Sequence, residues 1–169
     1  MKKVLALCVL VSAMLMVSLT AQAQFKSGKS LLGPHIGLSQ YGGAITLGAM
    51  FEAPVNKPGD AGPGIIGVSG QINYYHYEYF SGFGVTWILL GAFANYHFVI
   101  EDNRTIDPFV GLGLYYANVT VDGSGYGYGN GVYLGVQAGM RYFFSPGVAG
   151  RVMLGNAASF LTLGVDFAL

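Results

Sequence analysis

Four charged residues are placed to act together: Glu52, Arg141, Arg151 and Asp166. Arg141 and Arg151 lie equally far before and after Pro146 of a Ser145-Pro146-Gly147 turn, so a hairpin folded there makes them near cross-strand neighbours. Two like charges in contact need acids, and Glu52 and Asp166 fall on the same side of their own strands at the same height. His35 and His97 share that parity and are expected to join them. Such a group has two chemical uses. It can be a salt-bridged plug, in which each buried charge is paired because an isolated one would be costly. It can also be a proton or ion path. The plug is the expectation, since the interior of an eight-stranded closed sheet is normally filled by side chains.

A second group is His76, Glu78 and Ser81. A hydrolase needs a nucleophile beside a positioned base. His76 and Glu78 share a face, but Ser81 has the opposite parity and falls in a turn, so the group reads as an ordinary wet surface. Gly123-Ser124-Gly125-Tyr126-Gly127-Tyr128-Gly129 is glycine-rich without being a phosphate loop, because no Lys-Ser/Thr follows and a strand comes next. It is a hairpin loop whose tyrosines offer contact area at modest entropic cost. No His, Cys and carboxylate spacing suggests a metal site, and nothing implies a cofactor.

The elements that must hold these residues are strands. Period-2 alternation of apolar and small or polar residues recurs over 30–41, 44–53, 65–80, 85–99, 108–120, 132–144, 148–155 and the closing residues 160–169. In the first, Leu32, Pro34, Ile36 and Leu38 alternate with Gly33, His35, Gly37 and Ser39. In the fourth the pattern is least clean, because Leu89 and Phe93 are apolar on the inner face. Turns are marked by Gly42-Gly43, by the Pro/Gly-rich stretch from Pro54 to Gly64, by Ser81 to Gly84, by the charged stretch from Ile100 to Asp107, and by Asn156 to Ala158. Gly111 and Gly113 leave room on the inner side. Trp87, Tyr74 and Tyr116 fall where an outer membrane interface would lie, and Phe51, Tyr96, Phe98 and Tyr142 where an inner one would.

Composition fits strands that face lipid. Lys2-Lys3, the apolar stretch from Val4 to Leu19 and Ala21-Gln22-Ala23 form a cleavable secretory signal over residues 1–23, with a single domain over 24–169. The apolar stretch is short for a spanning helix, which takes about 20 residues. The only cysteine, Cys8, leaves with the leader, so an exported chain is left without disulfides. Removing Lys2 and Lys3 from the eight basic residues leaves six against eight acidic ones, a net charge of −2, and no basic patch for nucleic acid. The mature part carries all 27 glycines and is apolar overall, yet no later run is long enough for a spanning helix. A β-barrel reconciles these facts, because only alternate residues need to face lipid. The expectation is therefore an all-β, eight-stranded antiparallel up-and-down transmembrane β-barrel. Its rival is a secreted β-sandwich, in which the same apolar faces would meet a second sheet.

The chain ends with Leu161, Leu163, Val165, Phe167 and Leu169 on one face and Thr162, Gly164 and Asp166 on the other. That ending resembles the C-terminal insertion signal of bacterial outer-membrane barrels, with Leu169 where the family usually has an aromatic. Asp107-Pro108-Phe109-Val110-Gly111-Leu112-Gly113 resembles the strand start of small outer-membrane barrel proteins. Asn95-Tyr96-His97-Phe98 and the run from Gly135 to Pro146, where an inward Arg and aromatics precede a periplasmic turn, resemble the same group. The resemblance is to the porin-like or adhesin-like eight-stranded outer-membrane proteins of the Gram-negative envelope. It implies placement in the outer membrane and contact with its lipid and lipopolysaccharide. It also implies recognition of the last strand by the barrel-assembly machinery, a monomer, and a structural or surface-interacting role without catalysis. The alternatives are a lipid A deacylase or acyltransferase and a narrow channel. The deacylases place His and Ser two apart on one strand, and this chain has no His-x-Ser.

Overall fold

The computed structural model describes residue 25 and residues 29–39, 43–57, 59–60, 62–80, 83–100, 105–121 and 129–169. The leader, Gly42, Ser81-Gly82 and the 123–128 part of the Gly/Tyr loop lie outside these residues.

Eight strands form: β1 (Leu31–Ser39), β2 (Ile45–Pro54), β3 (Ile65–Phe80), β4 (Phe83–His97), β5 (Ile106–Val121), β6 (Gly131–Ser145), β7 (Val148–Gly155) and β8 (Ser159–Ala168). Each pairs antiparallel with its neighbours in chain order, and β1 closes on β8. The result is one closed barrel, so the two-sheet alternative is excluded. Closure removes every sheet edge, which a spanning sheet requires because lipid cannot satisfy a free backbone group. Gly43 takes φ +67° in the first hairpin, a conformation that glycine adopts without strain.

The alternation read from the sequence is the alternation of burial. Along β1 every odd residue is buried and every even one exposed. Leu47, Leu112 and Leu134 are 57%, 56% and 61% exposed, while Arg141 is fully buried. A water-soluble protein does the reverse. Here the apolar face points outward over the whole circumference while Glu52, Asp107, Arg141, Arg151 and Asp166 are buried inside, so the solvent of the outer face is hydrocarbon. Tyr74 and Tyr116 stand toward one end of that face. Phe51, Phe98, Tyr142 and Phe167 stand toward the other, and all six are partly exposed. Beyond Tyr74 and Tyr116 the outward positions turn polar: His76 pairs with Thr86, Thr86 with Thr120, and Ile88 with Asn118. The membrane boundary falls at that change. Strands β3 to β6 run 15 or 16 residues against 8 to 10 for the rest. In β3, β4 and β5 the extra length continues past this boundary.

Two expectations change. Trp87 does not join the outer girdle. It shares parity with Leu89 and Phe93, turns into the barrel and stacks on Tyr75 at 5.6 Å. There it packs on the buried group Tyr75, Leu89, Ala117 and Ala158. Period 2 decides its direction, and its aromatic character does not. The room left by inward glycines is also not open. A Cβ on Gly135 would stand 2.5 Å from the Phe93 ring, one on Gly139 2.6 Å from Phe109, and one on Gly111 2.0 Å from the Asn95 side chain. A narrow barrel is packed by setting large side chains over glycines, so each glycine marks where a neighbour lies.

Candidate functional site

The four charged residues read from the sequence come together inside the barrel. Arg141 pairs with Arg151 across β6 and β7. Glu52 arrives from β2 and Asp166 from β8, and all four are buried. The Arg141 guanidinium is divided among three carboxylates. Its Nε donates to Asp166 Oδ2 at 2.6 Å, one Nη donates to Glu52 Oε2, and the other reaches Asp107 Oδ2 at 3.4 Å. The planar five-donor fork of arginine suits this arrangement, and the single ammonium of lysine would not. The Arg141 carbon Cζ also lies 5.0 Å from the Phe109 ring centre.

Asp107 is the member that sequence reasoning misses. Its charge assigns it to the turn, with the strand starting at Pro108, whereas β5 begins at Ile106. The signal is present, since Asp107 has the inward parity of Phe109, Gly111 and Gly113. His97 joins as expected: Nδ1 lies 2.9 Å from Asp107 Oδ1 and Nε2 3.0 Å from Glu52 Oε1. A carboxylate oxygen only accepts, so both ring nitrogens are placed to donate. Three carboxylates thus face two guanidiniums and a ring that donates from both sides.

Two polar files climb from this layer. In one, Asn95 Nδ2 donates to Glu52 Oε1 at 2.5 Å and to Ser69 Oγ at 3.1 Å, Gln137 Nε2 donates to Asn95 Oδ1 at 2.7 Å, and Gln71 Nε2 donates to Gln137 Oε1 at 2.7 Å. In the other, Arg151 Nη2 lies 3.4 Å from Asp166 Oδ1 and 3.3 Å from His35 Nδ1, and His35 Nε2 lies 2.6 Å from Asn73 Oδ1. These partners assign His35 the tautomer with its proton on Nε2. Its place is therefore in the second file, beside the charged layer. Arg151 Nη1 also touches Met50 Sδ. Above the files a cavity of about 10 Å³ between Gln71, Asn73, Gln137 and Ser159 has space for one water. Higher still come Tyr75, Leu89 and Trp87. The bore is thus charged, then amide-lined, then apolar, and side chains fill each level among the described residues.

The structure describes two members of the second sequence group. His76 and Glu78 are exposed on the outer face, and His76 Nδ1 lies 3.0 Å from Thr86 Oγ1, its cross-strand partner. Ser81 lies outside the described residues. Among the described residues no group of three His, Cys, Asp or Glu side chains is placed to hold a metal ion.

A closed antiparallel barrel with an apolar exterior, aromatic girdles and a salt-bridged lumen is a transmembrane β-barrel of the small outer-membrane type. Solved structures carry the same fold. The chain is similar to the N-terminal β-barrel domain of Pseudomonas aeruginosa OprF, with TM-score 0.65 and 17% identity over 85% of this chain and 98% of that one. It is similar to Neisserial surface protein A (NspA), with TM-score 0.54 and 18% identity over 82% of this chain and 94% of that one. A de novo designed transmembrane β-barrel matches with TM-score 0.58 and 14% identity over 85% of this chain and 98% of that one. At these identities the likeness is one of fold. No protein-family model matches the chain, and no curated protein matches it in sequence.

Proposed function

We propose that this chain is an integral bacterial outer-membrane protein with a structural or surface-interacting role, neither an enzyme nor a wide pore. The observation that carries this reading is the Arg141 layer. A guanidinium held by Glu52, Asp107 and Asp166 in a bore packed above by Asn95, Gln137 and Phe93 leaves no wide aqueous path. The part of such a scaffold that meets the outside is its rim, where β3, β4 and β5 carry His76, Glu78, Thr86, Asn118 and Thr120 past the membrane boundary. Fold alone does not choose a partner. The partners this reading implies are outer-membrane lipid and lipopolysaccharide around the barrel and the assembly machinery at β8, with the chain acting as a monomer. The lipid-modifying alternative is disfavoured because the chain has no His-x-Ser, and His76 meets a threonine hydroxyl, Thr86 Oγ1, on the exposed outer wall rather than a serine.

The test is heat-modifiable migration of the outer-membrane fraction, followed by swelling of liposomes holding the refolded protein. A mobility difference between boiled and unboiled samples, with no uptake of small sugars, supports the reading. A periplasmic location overturns the membrane assignment, and rapid sugar uptake overturns the filled lumen.

A further inference from the structure

One aromatic residue inside the barrel belongs to none of its strands. Phe25 is only 2% exposed. Its ring stacks on His97 with centroids 4.2 Å apart, and Arg141 Cζ lies 5.6 Å from its centre. It packs with Leu31 of β1, Ile65 of β3, Phe143 of β6 and Ala149 of β7, with Val99 and Ala168 beside them. These residues lie at the end of the bore that holds the start of β1, the end of β8 and the Ser145–Gly147 turn, and they cover the charged layer from that side.

We infer that Phe25 is a stopper: its ring sits in the periplasmic mouth, where it seals the charged layer from water and latches the closed barrel. Two observations and one expectation from the sequence support this. The socket is assembled from β1, β3, β4, β6 and β7, so it exists only once the sheet has closed on itself. The guest suits its floor, because an aromatic face can rest on both an imidazole and a guanidinium, whereas an aliphatic side chain offers only area. Finally, the leader is expected to end at Ala23, which makes Phe25 the second residue of the mature chain. The position of the cut would then set how much chain the stopper carries. The charged layer needs such a cover, since water entering from the periplasm would compete for the donors and acceptors that hold Arg141, Glu52 and Asp107 together.

The mature chain has no cysteine, so one introduced at Ala149, a fully buried position in the socket, reports on the seal. Full-length export and refolding of Ala149→Cys, alone and combined with Phe25→Ala or Phe25→Leu, would be followed by labelling with a small charged methanethiosulfonate. The gel-mobility shift checks that each barrel is folded. Phe25→Ala should speed labelling of the introduced thiol at least tenfold, and Phe25→Leu, which still fills the socket, should leave it much closer to the parent. Equal rates with and without the Phe25 ring overturn the stopper. If Phe25→Ala does not fold, the parent still decides. The thiol of Ala149→Cys, lying beneath Phe25, must label far more slowly than that of Lys57→Cys at an exposed position, and comparable rates overturn the proposal.

Discussion

Arg141 and Arg151 sit directly opposite each other on β6 and β7, both buried, with the Asp166 carboxylate of β8 reaching both. Asp166 Oδ2 accepts from Arg141 Nε at 2.6 Å, and Oδ1 lies 3.4 Å from Arg151 Nη2. Like charges directly opposite on a sheet repel. This pair persists because an acid from a third strand reaches both, while Glu52 and Asp107 absorb the rest of the Arg141 charge. The sequence symmetry about Pro146 that pairs the two arginines therefore obliges β8 and β2 to supply acids at that height, which ties barrel closure to electrostatics.

Asp166→Ala should cost about 3–5 kcal/mol of unfolding free energy, the usual range for breaking a buried ion pair from one side. Urea unfolding of the protein refolded in micelles measures it. If the cost is repulsion between the two guanidiniums, adding Arg151→Met should recover most of the loss. A double variant no more stable than the single one would sink that explanation.

Arg141→Ala removes the common partner of three acids and leaves Glu52, Asp107 and Asp166 facing one another. The temperature at which the unboiled form converts to the unfolded form on SDS gels should fall. Arg141→Lys should land between parent and Ala, because a point charge cannot serve three separated carboxylates. An unchanged conversion temperature for Arg141→Ala would refute the plug.

Trp87 is the sole tryptophan, so its fluorescence reports one site. It faces into the barrel and stacks on Tyr75. Lipids brominated along their acyl chains should therefore quench it weakly. A tryptophan moved to lipid-facing Tyr74, in a Trp87→Phe background, should be quenched strongly. Strong quenching of Trp87 itself would return it to the outer girdle.

Most of the barrel is legible in the sequence because the period of two is a geometric property of a strand, independent of what surrounds it. Both faces of β1 and β2, the Arg141–Arg151 pairing and the inward direction of Glu52 and Asp166 all follow from counting. The misses arise where residue character is weighed against parity. Aromaticity places Trp87 in the girdle and charge places Asp107 in the turn, yet the strand carries each inward. The occupants of the glycine gaps are illegible for another reason. Which side chain covers Gly135 depends on register across three strands, and Phe93 is distant from it in sequence. Phe25 has no period to betray it, since it belongs to no strand.

The glycine gaps make their own prediction. Gly135 faces Phe93, and a Cβ there would stand 2.5 and 2.6 Å from two ring carbons. Gly135→Val should destabilise the barrel by about 1–3 kcal/mol, as overpacking of a well-filled interior does. Phe93→Leu should relieve it, so the double variant should be more stable than Gly135→Val alone. Simple additivity of the two losses would show that the conflict lies with the backbone and not with the ring.

The β1–β8 seam has a weak point within its ladder. Its ladder runs through Leu32↔Phe167, stops, and resumes at His35↔Gly164. The gap covers Gly33 and Pro34, and by the flanking register Pro34 stands opposite Val165. Proline has no N–H, so it cannot donate to the Val165 carbonyl. The outer face here carries Pro34, Ile36, Leu163 and Val165, where acyl chains offer no donor in exchange. Pro34→Ala supplies the N–H. It also frees the unfolded chain, which offsets the gain by roughly 0.4–1 kcal/mol. A hydrogen bond formed where its absence strands a buried carbonyl is worth about 1–3 kcal/mol, so the net change should be stabilising. The urea midpoint should rise, and amide exchange at Val165 and Ile36 should slow together while exchange at the β3–β4 pairing stays unchanged. If the midpoint does not move, the Val165 carbonyl already has a donor in the folded barrel, and the gap is a local distortion without an energetic cost.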